Sequence, residues 1–304
     1  MTIGGPSDSS PSKNRRRDAA RIKAKQLRVS QKKKDRRNKV FLQGGIGIAG
    51  IAIVVLVAVI IVNSIKPAGP GPRNMASDGV LIGEGMITAL TPALQPDAAA
   101  RPSEPDPTGA VANIRVYLDY LCPFCADFEA ANTEQIAEWV DSGAATIEIH
   151  PVSILKSKSA GTKYSLRAAN AAACVANYSP DDFFDFNSAL FVDQPEENKP
   201  GRSNDELKAV VKDSGVRTAL SSINTCIDDG TFESWVQAAT DRSLDGPIAN
   251  SSIKAITGTP TVLVNGKPYT GSLDDPKEFA SFVQQALGET YSTSTPTPTP
   301  TPAG

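Results

Sequence analysis

The sequence predicts an α/β domain with an inserted all-helical subdomain, preceded by one N-terminal transmembrane helix. Three observations support this prediction. A strand-like, helix-like and strand-like order runs from residue 111 to residue 152, and such a unit is the usual route to parallel strand pairing. A long stretch with little strand character follows, and strand patterns return near residue 261. Ahead of all of these, residues 40–65 contain no charged side chain.

The apolar segment 40–65 is long enough to cross a bilayer as a helix. Residues 1–39 carry 14 basic and 3 acidic residues, a net charge of +11. The rest of the chain carries 17 basic and 30 acidic residues, a net charge of −13. Because Lys and Arg are retained on the cytoplasmic side, we expect a cytoplasmic tail, a single span and an extracytoplasmic remainder. A cleaved signal peptide is the alternative, which the length of the apolar run disfavours. The expected location is therefore the cell membrane, with the lipid bilayer as a partner.

The basic tail has further interpretations beyond topology. Residues 15–39 suit contact with anionic lipid headgroups or binding of cytoplasmic nucleic acid, although a solvated tail that only fixes topology is the favoured reading. The acidic remainder of the chain argues against a nucleic-acid surface on the main domain.

Two segments outside the main domain have biased compositions. Pro-rich stretches predict a linker over residues 66–110, within which the short apolar runs 79–83 and 86–90 suggest a β-hairpin. Residues 289–304 are rich in Ser, Thr and Pro. This composition cannot bury a core, so we expect a disordered tail that suits a spacer or O-glycosylation.

The main domain is expected over residues 111–288, and its elements follow in order. Residues 111–120 have strand composition, apolar residues at helical spacing extend to Val140, and residues 145–152 alternate as a second strand. An all-helical insertion is expected over about 155–248. The elements that close the domain are a strand at 261–264, a type I′ turn at Asn265-Gly266, a return strand at 267–270 and a helix at 274–287.

The motif from Cys122 to Cys125 directly follows the first of these strands. Such a pair can be half of a zinc site, a structural disulfide or a redox centre. Zinc is disfavoured because the other two cysteines lie 49 and 101 residues beyond Cys125, and the sole histidine, His150, has no nearby ligand partner. We therefore expect no metal or other cofactor, and His150 is assigned no role.

The position of the motif favours the redox interpretation. At a strand-to-helix junction, the helix N-terminal amides and dipole stabilise a thiolate at Cys122, which becomes the nucleophile. Cys125 lies one helical turn later on the same side and can attack a mixed disulfide to release the partner.

The segments VYLDYLCPFCADF at 116–128 and GTPTVLVNG at 258–266 resemble the DsbA-like branch of the thioredoxin superfamily. The resemblance covers about residues 75–288 and implies a thioredoxin fold. It also implies that Pro260 is a cis proline packed against the redox pair and that Thr259 contacts the substrate backbone. From spacing alone, Pro260 could merely begin a strand.

The sequence departs from this family at two positions. Relatives often carry histidine where this motif, with its dipeptide Pro123-Phe124, has Phe124. We therefore expect Cys122 to be less acidic, and its disulfide less oxidising, than in those relatives. Relatives also often place a buried acid six residues before the first cysteine, where this chain has Val116. Asp119 is nearer to the motif, either as a proton-transfer group or as a solvated residue at the strand end.

Cys174 and Cys226 lie within the predicted helical insertion. The pairing that leaves the redox motif intact joins them in a structural disulfide. The alternative is two reduced, buried cysteines.

The resemblance implies an extracytoplasmic enzyme that introduces disulfides into exported proteins with free cysteines. It also implies a quinone-linked membrane partner that reoxidises the enzyme. A reductase or isomerase is the alternative in the same chemistry, because direction depends on the reduction potential relative to that of the compartment. A non-catalytic thioredoxin-fold module that binds peptides at the cell surface is the alternative from another class.

Overall fold

The computed structural model describes residues 17–18, 20–37, 39, 55, 69–96 and 98–294, the last five without side chains. The chain divides into two units, residues 1–67 and 68–304. In the first unit, residues 20–37 form an exposed helix. The predicted transmembrane segment 40–65 lies outside the described residues, apart from Val55. None of the helices in the described ranges has the length and apolar character needed to cross a membrane.

The second unit contains a six-stranded mixed sheet in the order β2-β1-β4-β3-β5-β6. Strands β3 and β4 pair in parallel, and every other neighbouring pair is antiparallel. The strands are β1 (Val80–Gly83), β2 (Ile87–Thr88), β3 (Ala112–Leu118), β4 (Ala145–Pro151), β5 (Thr261–Val264) and β6 (Lys267–Pro268).

Helices connect these strands as the sequence predicts. Helix α1 links β3 to β4, five α-helices separate β4 from β5, and the last helix follows β6. The helices are α1 (Pro123–Asp141), α2 (Tyr164–Tyr178), α3 (Phe183–Ala189), α4 (Asn204–Asp213), α5 (Leu220–Asp229), α6 (Glu233–Asp245) and α7 (Pro276–Ser294). Helices α2 to α6 form the all-helical insertion.

Strand β3 lies at the centre of the core, and all seven of its residues are buried. Helices α1 and α7 meet through an edge-to-face contact between Phe128 and Phe279, with ring centroids 5.3 Å apart. Because β3 is flanked by β4 and β5, its C-terminal end is rigidly placed, and this end leads directly into the cysteine motif.

Strands β3 and β4 also bury a polar cluster. Arg115 Nε donates to Glu148 Oε2 at 2.9 Å, and His150 stacks on Tyr117 with ring centroids 4.4 Å apart. His150 Nε2 lies 3.4 Å from Glu148 Oε2. His150 is thus a buried component of the sheet.

The segment 66–110 is not a linker throughout. Its two apolar runs do form an antiparallel hairpin, β1 with β2. Strand β1 also pairs with β4, with Val80 opposite Ile149, and Met75 is buried in the core. The folded domain therefore begins well before residue 111, because the hairpin extends the sheet beyond β4.

At the other end, α7 continues to Ser294 instead of ending at residue 287. Residues 289–294, which the composition assigned to a disordered tail, are helical. The rest of that tail, 295–304, lies outside the described residues.

The helical insertion contains one disulfide. Cys174 on α2 and Cys226 on α5 are bonded, with an S–S distance of 1.99 Å, and both are buried. The bond closes a loop of 52 residues, for which the chain-entropy relation gives about 4 kcal/mol of stabilisation.

Candidate active site

The cysteine motif begins helix α1. Cys122 is the N-cap residue, with extended backbone angles of φ −81° and ψ 117°, and Pro123 occupies the first helical position. Proline suits that position because its φ is already helical and the first helical amide has no partner within the helix. The backbone N–H of Cys125 donates to the Cys122 carbonyl at 3.1 Å. This arrangement directs the first amides of α1 toward the Cys122 side chain.

Cys122 and Cys125 are both free in this structure. A hydrogen bond from the Cys125 thiol is the largest cause that lowers the pKa of Cys122 to about 6, against the opposing effect of burial. Smaller contributions come from the Thr259 side chain and from the backbone amides of Cys125 and Phe124. Burial raises the pKa of Cys125 well above its ordinary value, and the neighbouring Cys122 raises it further. One thiol is therefore poised as a thiolate, and the other keeps its proton.

The loop before β5 contacts this pair. The Thr259-Pro260 peptide bond is cis, and Cys122 Sγ donates to the Thr259 carbonyl oxygen at 3.1 Å. Two segments that are 137 residues apart in sequence thus meet at one sulfur atom.

Phe124 projects beside the buried cysteines and is 62% exposed. It contributes a backbone amide to the thiolate but no charge. The pKa of Cys122 is therefore lowered by hydrogen bonds, without a cationic side chain at this position. The expectation that Cys122 is less acidic than in relatives with histidine stays a prediction.

Asp119 is fully buried, so the alternative of a solvated strand-end residue is wrong. Its carboxylate accepts hydrogen bonds from Leu121 N at 2.9 Å, Leu155 N at 2.8 Å and Ser165 Oγ at 2.7 Å. Burial raises the pKa of Asp119 despite these donors. The structure shows Asp119 as an anchor between the cysteine loop and the start of the insertion, and its proton-transfer role stays a prediction.

A second buried acid close to the motif, Glu129, was missed by the sequence reasoning. Tyr120 Oη donates to Asn187 Oδ1 at 3.0 Å, and Asn187 Nδ2 donates to Glu129 Oε1 at 3.1 Å. Burial raises the pKa of Glu129. The available signal was its spacing of four residues from Cys125, which places both on one face of α1.

Gln194 was also missed, and no pattern in the sequence marks it. It lies in the loop between α3 and α4, and its side-chain amide donates to the carbonyl oxygens of Tyr120 and Cys122 at 3.1 and 3.0 Å. The cysteine loop is therefore held by Asp119 from within and by Gln194 from the insertion.

The family model described as thioredoxin matches residues 108–285. This match spans β3 to α7, including the cysteine motif and the cis-proline loop. The chain belongs to the thioredoxin family. None of the curated proteins is similar enough to this sequence to count as a match.

Solved structures narrow the assignment within this family. Oxidised DsbA from Mycobacterium tuberculosis is 29% identical, with a TM-score of 0.51, over 71% of this chain and 100% of that one. The reduced disulfide bond oxidoreductase DsbG from the same organism is 27% identical, with a TM-score of 0.51, over 73% of this chain and 96% of that one. Oxidised BdbD from Bacillus subtilis shares the fold. It is 21% identical, with a TM-score of 0.50, over 73% of this chain and 100% of that one. This chain is accordingly a DsbA-like protein disulfide oxidoreductase.

Proposed function

We propose that this enzyme acts as an oxidase, which donates the Cys122–Cys125 disulfide to exported proteins with free cysteines. The observation that supports this direction is the position of the Cys122 sulfur at the start of α1, where it accepts hydrogen bonds from the Cys125 thiol and from the first helix amides. These bonds lower the pKa of Cys122 to about 6. A stabilised thiolate favours the reduced form of the pair, and a couple whose reduced form is stabilised is a stronger oxidant.

The proposed reaction is a sequence of two exchanges. A client thiolate attacks Cys122 Sγ of the enzyme disulfide, so that a mixed disulfide forms and the sulfur of Cys125 leaves and takes up a proton. A second client thiolate then attacks the client sulfur of the mixed disulfide and expels Cys122 as a thiolate. The client loses two electrons and gains a disulfide, while the enzyme pair gains those two electrons. Expulsion of Cys122 is favoured because a thiol of lower pKa is the better leaving group.

Turnover requires an oxidant for the reduced pair. We assign this step to a quinone-linked membrane partner, which accepts the two electrons and regenerates the Cys122–Cys125 disulfide. The support for this partner is the similarity to the DsbA type together with an N-terminal segment suited to the same membrane.

We also propose that the catalytic unit lies outside the cytoplasm on a single N-terminal anchor. Support comes from the uncharged segment 40–65, the +11 charge before it and the −13 charge after it. The Cys174–Cys226 disulfide adds to this support, because such bonds persist in oxidising compartments.

A trapping experiment tests the enzymatic proposal. The Cys125→Ala variant keeps the Cys122 thiolate, which can attack a disulfide of an exported client and displace one client thiolate. Because the variant lacks the Cys125 thiol that would release the client, it should accumulate mixed disulfides with exported clients in cells. Cys122→Ser is the matched control and should trap none. If Cys125→Ala also traps none, the chain does not exchange disulfides with clients. If Cys122→Ser retains client binding without chemistry, the peptide-binding module becomes the better account.

A further inference from the structure

Gln194 connects the helical insertion to the redox cysteine. Its side-chain amide nitrogen lies 3.0 Å from the Cys122 carbonyl oxygen and 3.1 Å from that of Tyr120. One amide group thereby bridges two carbonyls of the turn that presents Cys122. This contact is made to the main chain, so it constrains the turn itself rather than a flexible side chain.

The Cys122 carbonyl is the N-cap acceptor of α1. It also accepts from Cys125 N at 3.1 Å and from Ala126 N at 3.3 Å, the first hydrogen bonds of the helix. Its orientation therefore sets the direction of the first-turn amides. Those amides stabilise a negative charge on Cys122 Sγ, in addition to the Cys125 thiol and Thr259. A donor that fixes this carbonyl fixes the environment of the sulfur.

The loop that carries Gln194 is itself held in place. The Arg202 guanidinium donates to Leu190 O at 2.9 Å, to Asp193 O at 2.9 Å and to the carbonyl of Val192. It also donates to the Tyr164 hydroxyl at 3.0 Å, which anchors it on α2. Gln194 is thus presented to the turn by a preorganised segment, and an ordered donor loses less entropy when it bonds.

We propose that Gln194 is a positioning residue that holds the N-cap turn at Cys122 in the conformation that stabilises the thiolate, and so raises the oxidising strength of the Cys122–Cys125 disulfide. The role concerns the pair in either direction of exchange, so it does not depend on the enzyme being an oxidase. It makes the helical insertion a determinant of redox strength, in addition to the motif dipeptide.

The test compares three variants of the full-length chain in detergent. Gln194→Met keeps the length of the side chain and removes the donor. Gln194→Glu also removes the donor and places a negative charge beside two carbonyl oxygens. Gln284→Met makes the same change as the first variant at an exposed position on α7 and serves as the control. Two quantities are measured for each: the pH midpoint of Cys122 alkylation, and the equilibrium constant with glutathione.

We expect Gln194→Met to raise the alkylation midpoint by about 0.5 to 1 pH unit. The same variant should move the glutathione equilibrium roughly three- to tenfold toward the enzyme disulfide. Both shifts are in the range expected for the loss of one hydrogen bond. Gln194→Glu should shift both quantities further in the same direction, and Gln284→Met should match the wild type. A purely structural role would lower the melting temperature of both redox forms and leave the two quantities unchanged.

The proposal is overturned if both Gln194 variants fold and show the wild-type midpoint and equilibrium constant. It is equally overturned if Gln284→Met shifts them as much as Gln194→Met does. If Cys125→Ala traps clients while the Gln194 variants keep the wild-type midpoint and equilibrium constant, only the role of Gln194 is refuted. Loss of all trapping by Cys125→Ala would instead refute the proposed function.

Discussion

The pKa of Cys122 offers the sharpest test of how the site works. In the reduced enzyme this pKa is about 6, compared with 9.0 for an unperturbed thiol. At pH 7 the folded enzyme should therefore hold roughly 90% of Cys122 as thiolate, against about 1% for the unperturbed group. Since only the thiolate is alkylated, the rate of reaction with iodoacetamide should rise with a midpoint near pH 6.

Substitution of Cys125 separates the causes of this pKa. The Cys125 thiol is the largest contributor to the lowered value, ahead of Thr259 and the backbone amides. Cys125→Ala removes that donor, and a hydrogen bond to a charged group contributes about 1.5–3 kcal/mol. In Cys125→Ala the pKa of Cys122 should therefore be higher than in the wild type by about 1 to 2. Cys125→Ser keeps a donor of similar size, so its midpoint should stay closer to that of the wild type.

The two variants are measured under the same conditions as the wild type, with Cys122→Ser as the blank that reports background alkylation. A midpoint near 9 in the wild type would refute the account of the site altogether. A wild-type midpoint in Cys125→Ala would show that Thr259 and the helix amides, not the neighbouring thiol, dominate the stabilisation of the thiolate.

Three further predictions follow from buried groups. Replacing Cys174 and Cys226 together with Ser should lower the free energy of unfolding by about 4 kcal/mol in urea titrations, with Cys122 alkylation unchanged; a loss below 1 kcal/mol would contradict the chain-entropy argument. Attraction to His150 and Arg115 outweighs burial and lowers the pKa of Glu148 from 4.5 to about 2. Its contribution of about 3 kcal/mol should be complete above pH 4.5 and decline as the pH falls toward 2, and Glu148→Gln should flatten that part of the stability curve. Asp119→Ala leaves buried backbone donors unpaired, so it should lower the free energy of unfolding by about 2 to 5 kcal/mol, whereas an effect under 1 kcal/mol would show that water replaces the carboxylate.

The elements that local sequence determines were predictable. The Asn265-Gly266 turn has positive φ at both positions, 48° and 75°, as the type I′ prediction requires. The strand-to-helix placement of the cysteine motif followed from composition and from Pro123 at the first helical position. In these cases the residues that determine the geometry are adjacent in the chain.

The features that the sequence did not show depend on contacts between distant segments. Strand β1 has four residues, and only its pairing with β4, about 65 residues later, makes it part of the sheet. The burial of Asp119 depends on donors from Leu155 and Ser165 in the insertion. Gln194 is an ordinary polar residue in a loop until the fold brings it to the Cys122 carbonyl. No periodicity or spacing rule marks such residues, because their partners are chosen by tertiary structure.

The reduction potential of the Cys122–Cys125 couple tests the central proposal most directly, because it decides whether the pair donates or accepts a disulfide. It is measured on the purified chain by equilibration with glutathione buffers at pH 7, with Cys122→Ser as the blank. We expect a potential above about −180 mV, in the range between protein disulfide isomerase and strongly oxidising DsbA. A potential near about −270 mV, that of thioredoxin, would contradict the oxidase proposal and assign the enzyme to reduction.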